Sequence, residues 1–364
     1  FKPSHDFHPR HMFDFDESFD VIAKEVELVQ TKVGLTEVNG FNRIEITGAD
    51  RHSFLDRMMC GRVQKRDGRV GLGYLLNHHG MIKAEATVAN IPASDRGPDR
   101  VWYGSAAASE YHDMDWLTSH VRDDEDVQFK SLTNDQTILV LAGPRARDVL
   151  SKAARGDWSK DAFPWLSVRE CFIGFAPATV MAVSFSGELA YEIHVPNSAL
   201  YSSYLALTDA GVEHELGLFG ARAVESMRME KGFLHWKSDL ITEFDPFETG
   251  LDRFVKMDKP DFIGKAALEN RIRKGVQKRL VSLEINCDHA PAYGGASLMQ
   301  GDDVVGTITS GAWGYRVGKN LAYAFIDPSL SEIGTCVKLD LLGQLVDATV
   351  CAPSPYDPNF ELLR

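Results

Sequence analysis

The most informative part of the chain is a run of three closely spaced segments between residues 231 and 268. They read Lys231-Gly-Phe-Leu-His-Trp-Lys-Ser-Asp-Leu240, Phe244-Asp-Pro-Phe-Glu-Thr-Gly-Leu-Asp-Arg-Phe-Val-Lys256 and Asp261-Phe-Ile-Gly-Lys-Ala-Ala-Leu268. The chain has no GxxxxGK phosphate loop followed by Ser or Thr, and no GxGxxG fingerprint after a first strand. The sequence therefore predicts no FAD or NAD site in this chain.

Six short segments on either side of this run belong to the same pattern. They are residues 34–48 (Gly-Leu-Thr-Glu-Val-Asn-Gly-Phe-Asn-Arg-Ile-Glu-Ile-Thr-Gly), 76–85 (Leu-Asn-His-His-Gly-Met-Ile-Lys-Ala-Glu), 185–192 (Phe-Ser-Gly-Glu-Leu-Ala-Tyr-Glu), 226–230 (Ser-Met-Arg-Met-Glu), 309–311 (Thr-Ser-Gly) with Tyr315, and 356–358 (Tyr-Asp-Pro). Each segment is short, but their common order along nearly the whole chain is specific.

This succession resembles the aminomethyltransferase family, whose founding member is the T-protein of glycine cleavage. Within that family it is most similar to the C-terminal folate half of dimethylglycine and sarcosine dehydrogenases. The resemblance implies an α+β fold with three domains around a central folate hole, the last domain being β-barrel-like. It divides the chain into a lead-in (1–18), two intertwined folate-binding domains (19–60 with 138–215, and 61–137 with 216–270) and a C-terminal barrel domain (271–364).

Residues 70–91 predict a β-hairpin that turns at 77–80. Alternation along the return strand places the apolar residues from Ile82 to Val88 on one face and Glu85 on the other. Glutamate is depleted in the middle of strands, so Glu85 is either an exposed strand residue or a functional one.

The resemblance places Glu85 on the active-site aspartate of the family's "LTNxxGGIxDD" hairpin and makes it the candidate catalytic residue. A carboxylate there can hold a proton or stabilise a developing iminium cation. Burial would raise its pKa, which suits acid–base chemistry near neutrality. The departure from the family is one methylene, since glutamate stands in place of aspartate.

Glu192 falls on the glutamate that reads the pterin ring in the family's "YTGExGxE" turn. Its carboxylate can accept two hydrogen bonds from the 2-amino and ring N–H groups. The alternative is a charge at a strand end. Phe185 replaces the family's tyrosine, which removes one hydroxyl contact.

Five other side chains are predicted to bind the folate. Arg228 binds an anionic folate group or pairs with Glu230 inside the protein. Trp236 stacks on the ligand or belongs to the core. The remaining three follow from their positions in the matching segments and in the strand after the hairpin: Asn77, Tyr103 and Tyr315.

Local patterns predict most other elements. Helical spacing predicts a helix over 19–33 that Gly34 stops, and 172–185 is predicted to be one strand. From Arg279 onward short strands alternate with glycine turns, which predicts a small all-β module. The basic cluster at 271–279 is the predicted boundary.

Composition excludes several functional classes. The chain has 39 basic and 52 acidic residues among 364, a formal charge of −13, which argues against a nucleic-acid partner. The five cysteines form no CxxC pair, which favours a reducing compartment and argues against a disulfide framework or a cysteine-based zinc site. No apolar run approaches the ~20 residues of a membrane span.

Two features concern the beginning of the chain. The chain begins at Phe1 without a signal-like leader, so we expect a processed product or part of a longer polypeptide, in the cytoplasm or the mitochondrial matrix of a eukaryote. His5, His8 and His11 are regularly spaced, and a solvated segment rather than a metal site is predicted.

The predicted function is capture of formaldehyde or an iminium from an N-methylated amine onto tetrahydrofolate, which gives 5,10-methylene-tetrahydrofolate. The oxidising flavin or metal domain is expected elsewhere, on the same polypeptide or on a partner subunit. The alternatives are a stand-alone tetrahydrofolate-dependent methyltransferase or demethylase, and a non-catalytic folate-binding module. An iron–sulfur assembly branch of the same fold is disfavoured, because Phe233 stands where its KGCYxGQE motif has cysteine.

Overall fold

The computed structural model describes residues 14–363. Helices and strands alternate through the first two thirds of the chain, and strands alone build the last third. The helices are α1 (Ser18–Thr31), α2 (Arg51–Met58), α3 (Glu110–Ser119), α4 (Ala146–Ala153), α5 (Leu200–Gly211), α6 (Ala221–Lys231) and α7 (Lys265–Lys274). The strands are β1 (Gly34–Glu37), β2 (Ile44–Thr47), β3 (Val70–Leu76), β4 (Ile82–Ile91), β5 (Arg100–Gly104), β6 (Gln128–Ser131), β7 (Gln136–Ala142), β8 (Val168–Ile173), β9 (Ala176–Met181), β10 (Ala190–Pro196), β11 (Gly217–Leu218), β12 (Arg279–Ile285), β13 (Ser297–Gln300), β14 (Asp303–Gly314), β15 (Lys319–Ile326), β16 (Cys336–Leu341) and β17 (Gln344–Cys351).

Two open sheets carry the first two thirds of the chain. The first has the strand order β11-β1-β7-β10-β9-β8, and α4 and α5 cover one of its faces. The second has the order β3-β4-β5-β2-β6, and α2 and α3 cover one of its faces. Each sheet buries every second residue under its helices, as the two-residue period of a strand requires. The opposite faces of both sheets are free to meet each other.

The last third of the chain is a closed six-stranded barrel in the order β12-β15-β14-β13-β16-β17. Apolar side chains such as Leu283, Ile308 and Leu339 fill its interior. Closure removes the exposed strand edges that an open sheet would keep. The predicted α+β class with a C-terminal barrel is confirmed.

Some local predictions were wrong. Residues 172–185 are not one strand, because β8 and β9 form a hairpin that turns at Gly174, where φ is +58°. Gly34 does not merely stop the first helix, since it opens strand β1. Ile82 does not share the core of Ala84, because a register shift between Leu75 and Leu76 moves it into the cluster around Tyr74.

Two of the predicted domain limits differ from the bounds of the sheets and helices in the structure. Strand β2 lies in the second sheet, although residues 19–60 were assigned to the first domain. Helix α7 crosses residue 270, and the first barrel strand starts at Arg279. Among residues 14–363, no helix combines the length and apolar character that crossing a membrane requires.

The run at 261–268 packs against the β3–β4 hairpin through two glycines, one on each segment. Gly264 has φ +91°, and a Cβ atom there would lie 2.7 Å from the backbone oxygen of Asn77. On the other side, a Cβ on Gly80 would meet Leu268 at 3.0 Å. Only glycine allows the two segments to approach this closely. This part of the run therefore positions the hairpin that carries Glu85.

Candidate functional site

The uncovered faces of the two sheets meet. Ala89 and Trp102 of the second sheet share one hydrophobic cluster with Val168 and Met181 of the first. The ring of Trp102 also lies edge-on to His194, with 4.8 Å between centroids. A layer between the sheets is thus lined by side chains of both.

Glu85 and Glu192 both project into this layer. Glu85 stands four residues before Ala89 on β4, so alternation places the two on one face. Glu192 pairs directly with Met181 across the first sheet, and cross-strand partners share a face. The two sequence-predicted carboxylates therefore project from the facing sides of the two sheets.

Glu85 accepts one hydrogen bond, from the Tyr74 hydroxyl at 2.7 Å. Burial raises the pKa of the Glu85 carboxyl to about 7, and the negative charge of Asp239 adds to the rise, while the Tyr74 hydrogen bond opposes it. Within the described part of the chain no cationic side chain is paired with Glu85. Both protonation states are therefore populated near neutral pH, as a general acid or base requires.

No hydrogen bond within the described residues occupies the Glu192 carboxylate, although the buried Arg43 is near enough to interact with it electrostatically. Its side chain is 19% exposed, and its Oε2 atom lies 3.4 Å from Nε2 of His194. Neither nitrogen of the buried His194 has a hydrogen-bond partner among the described residues. A half-buried carboxylate with free acceptor positions suits a ligand that presents planar N–H donors.

A row of aromatic rings was not predicted from the sequence. Phe185 stacks on Phe233 at 5.9 Å, Phe233 lies 6.1 Å from Phe360, and Phe360 lies 6.4 Å from Trp165. All four rings are half-buried. Phe360 comes from the C-terminal tail, so no local pattern indicates its place in the row.

Arg228 forms ion pairs inside the protein through both of its Nη atoms, while its buried Nε has no hydrogen-bond partner among the described residues. Its Nη1 atom donates to Asp239 at 2.7 Å, its Nη2 atom pairs with Glu225, and its guanidinium lies over the ring of Tyr323. The proposed pairing with Glu230 was wrong, because Glu230 belongs to a different arginine. Arg228 therefore acts on the site through Asp239 in this structure.

The other predicted site residues separate into two groups. Trp236 is half-buried in the cluster around Tyr74 and donates to Ser109 at 2.9 Å. Asn77 holds the hairpin turn, since its Oδ1 atom accepts from the backbone of His79 and Met81 at 2.9 and 3.1 Å. Both lie close to the hairpin that carries Glu85.

Tyr103 and Tyr315 lie elsewhere. Tyr103 is buried on the helix-covered face of the second sheet, opposite Glu85, and its hydroxyl donates to Asp113 at 3.2 Å. Tyr315 packs on Phe19 of α1 with 4.9 Å between ring centroids. The structure does not bring these two to the layer between the sheets.

A second buried set of charges, here called the arginine network, joins the barrel to the first sheet and α6. Arg316 donates to Glu230 at 2.5 Å and to Glu188 at 2.7 Å, and it stacks on Tyr356 at 3.9 Å. Its side chain is fully buried. Both carboxylates are bonded to the same arginine, so this network is a structural connection.

No metal centre is apparent in the part of the chain that the structure covers. Residues 14–363 contain no group of three or more His, Cys, Asp or Glu side chains arranged to hold a metal ion. His5, His8 and His11, which were predicted to lie in a solvated segment rather than a metal site, are outside the described residues.

Comparison with known families and proteins gives consistent matches. A model described as the GCVT N-terminal domain matches residues 2–259, and one described as the glycine cleavage T-protein C-terminal barrel domain matches residues 278–357. Mitochondrial dimethylglycine dehydrogenase of Rattus norvegicus is 33% identical over 352 residues, which cover 96% of this chain and 40% of that protein. The chain thus spans well under half the length of these dehydrogenase relatives.

Shorter relatives match end to end. The aminomethyltransferase of Bacillus subtilis (strain 168) is 29% identical over 334 residues, or 91% of this chain and 90% of that protein. The crystal structure of glycine cleavage system aminomethyltransferase T from Bartonella henselae has the same fold, with a TM-score of 0.82 at 21% identity over 94% of this chain and 90% of that one.

Proposed function

The chain belongs to the glycine cleavage T-protein family, and on this premise we propose that it binds tetrahydrofolate between its two sheets and transfers a one-carbon unit to it. The observation that carries the proposal is the pair of carboxylates, Glu85 and Glu192, which project from the facing sides of the two sheets and form no ion pair with a lysine or arginine among the described residues. Such a pair fits a ligand that presents planar N–H hydrogen-bond donors to Glu192 and a nucleophilic nitrogen to Glu85.

The residues present fit a folate in distinct ways. Glu192 offers free acceptor atoms to the amino and ring N–H groups of a pterin. Trp236 and the half-buried rings of Phe185 and Phe233 offer flat apolar surface for aromatic groups. Tetrahydrofolate would supply the nucleophilic nitrogens that receive the carbon unit.

Glu85 would accept the proton of the folate nitrogen and stabilise the positive charge of the carbon donor. Since its pKa is raised to about 7, the carboxyl can take up the proton that a nitrogen loses as the nitrogen–carbon bond forms. In its ionised form the same group stabilises a cationic donor such as an iminium. Burial strengthens this attraction, because less water screens it.

The donor in this proposal is an N-methylated amine of the dimethylglycine or sarcosine type. The length of the dehydrogenase relatives supports a donor oxidised outside this chain, by a flavin or metal domain on the same polypeptide or on a partner. The proposed product is 5,10-methylene-tetrahydrofolate, formed from an iminium with release of the demethylated amine and a proton, or from formaldehyde with release of water.

Two measurements test the proposal. Isothermal titration of the chain with tetrahydrofolate should show saturable binding, and its absence would refute folate as the ligand. With formaldehyde as the carbon donor, Glu85→Ala should slow transfer by about 100-fold or more while changing folate affinity much less. Glu284→Ala, which removes a half-exposed barrel glutamate paired with Lys319, is the matched control and should match the wild-type rate.

A transfer rate in Glu85→Ala equal to that of the wild type would remove Glu85 from the mechanism. If folate binds but transfer is no faster than the uncatalysed reaction, the chain is a non-catalytic folate-binding module.

A further inference from the structure

Asp239 is the most densely bonded buried carboxylate near the layer between the sheets. It is 0% exposed. Its Oδ2 atom accepts from Arg228 at 2.7 Å and from the backbone of His235 at 2.9 Å. Its Oδ1 atom accepts from Thr309 at 2.5 Å and Ser310 at 2.7 Å. The donors come from α6, from the turn after it and from barrel strand β14.

These bonds hold the 235–240 turn against the wall of the site. Trp236 and Leu240, on either side of Asp239, pack in the cluster that contains Tyr74. Tyr74 in turn donates to Glu85 at 2.7 Å. Hydrogen bonds and one shared hydrophobic cluster therefore connect the barrel, through the turn, to the candidate catalytic carboxyl.

The charge of Asp239 is not cancelled locally. Arg228 is shared by two carboxylates, Asp239 on its buried side and Glu225, which is 40% exposed. Two negative charges and one positive charge leave this triad with a net charge of −1. Because Asp239 is its buried member, the excess negative charge lies on the side of the protein interior.

We propose that Asp239 is a positioning residue for the reaction at Glu85, because it fixes the 235–240 turn to the barrel and its buried negative charge favours the protonated Glu85 carboxyl. The reaction itself rests on the proposed function, whereas the electrostatic effect does not. The Thr309-Ser310 segment then links the barrel to the chemistry: its two hydroxyls hold Asp239 in place.

Other charged or titratable groups surround the same cluster. The nearest is Tyr74 of β3, a neutral donor whose own pKa burial raises further. The remaining groups lie next to Tyr74 or Asp239 and complete the surroundings: Cys60 after α2, Arg253 in the turn at 252–254, Glu225 and Arg228 of α6, and Tyr323 of β15. Of these, only the triad places a negative charge near Glu85.

The direct test follows Glu85 itself by infrared difference spectroscopy of the ligand-free protein. Its carboxyl band is identified by its absence in Glu85→Gln. In Asp239→Asn the midpoint of this band should fall by about one pH unit, because a nearby negative charge no longer favours the proton. The matched control is Asp245→Asn, which neutralises another buried aspartate, paired with Arg271 at 3.1 Å, and should leave the midpoint unchanged.

A second variant keeps the test decisive if Asp239→Asn does not fold. Glu225→Gln removes the half-exposed member of the triad, neutralises its net charge and should also lower the Glu85 midpoint. An unchanged midpoint in Glu225→Gln, or in a folded Asp239→Asn, would overturn the electrostatic role.

The positioning role is tested by the pH dependence of the folate-dependent transfer rate. The part of the pH–rate profile that follows the ionisation of Glu85 should move to lower pH in Asp239→Asn, by the same amount as the infrared midpoint. A shifted midpoint with an unmoved rate profile would overturn the positioning role while leaving the electrostatics intact. Failure of tetrahydrofolate to bind would instead refute the proposed function, and the infrared result would stand apart from it.

Discussion

The arginine network and the layer between the sheets both contain carboxylates that are largely withdrawn from solvent, but these carboxylates differ in whether an arginine is bonded to them. In the network, Glu188 and Glu230 share Arg316 at 2.7 and 2.5 Å. In the layer, Glu85 has only the neutral Tyr74 hydroxyl. Glu192 lies 3.4 Å from His194 and interacts electrostatically with Arg43, but it forms no ion pair with a lysine or arginine among the described residues. A buried carboxylate with a close cation is a structural connection, whereas one without it keeps a proton equilibrium or a binding position available. The comparison predicts that substitutions in the network impair stability and substitutions in the layer impair function.

The largest effect is expected for Arg316→Met. It leaves Glu188 and Glu230 buried without their cation, which should lower the free energy of unfolding by roughly 3–5 kcal/mol. Chemical denaturation measures this loss. Arg62→Met, which removes an exposed arginine paired with Asp258, should cost about 0.5 kcal/mol or less. A loss in Arg316→Met no greater than in that control would mean that the network does not support the fold.

Glu192→Ala should come next and should affect binding rather than stability. Loss of its hydrogen bonds to the pterin should weaken tetrahydrofolate binding by about 2 kcal/mol, or roughly 30-fold. Isothermal titration measures this change. Glu188→Gln is the contrasting variant, since it lies four residues earlier and is bonded to Arg316 and Tyr356. It should lower stability more than affinity, and the reverse pattern would contradict the division between the two regions.

The smallest effect is expected for Tyr74→Phe, through the ionisation of Glu85. The hydroxyl donates to the carboxylate, so its loss should raise the pKa of Glu85 above about 7 and move the corresponding limb of the transfer rate to higher pH. The shift should be about one pH unit or less. Tyr103→Phe removes a hydroxyl from the opposite face of the sheet and should leave the limb in place. A limb that moved to lower pH would contradict the assigned hydrogen bond.

The raised pKa of Glu85 also makes the stability of the fold depend on pH. The folded pKa of Glu85 lies above the ordinary value of 4.5, so the folded chain binds this proton more tightly than the unfolded chain. This contribution to stability is complete below about pH 4.5 and is lost as pH rises through about 7. Tyr74→Phe should extend the upper end of that window.

Much of the fold could be predicted from the amino-acid sequence. The β3–β4 hairpin and helix α1 were predicted within a few residues, because side-chain period and turn residues are local properties. The hairpin of β8 and β9 was missed, since apolar residues continue on both sides of Gly174 and hide its turn. The register shift that displaced Ile82 has no sequence signal, because it depends on the partner strand.

The sequence by itself determined the family, the α+β class, the barrel and the strand that carries Glu85, because motif order and periodicity lie along the chain. Only the tertiary structure decided which charges are paired. Arg316 reaches Glu230 across 86 residues, and Ser310 reaches Asp239 across 71. The 231–268 run, the clearest sequence signal, owes its role near the site to such contacts: Asp239 acquires its donors, and Glu85 its raised pKa, only when the barrel and the sheets close around them.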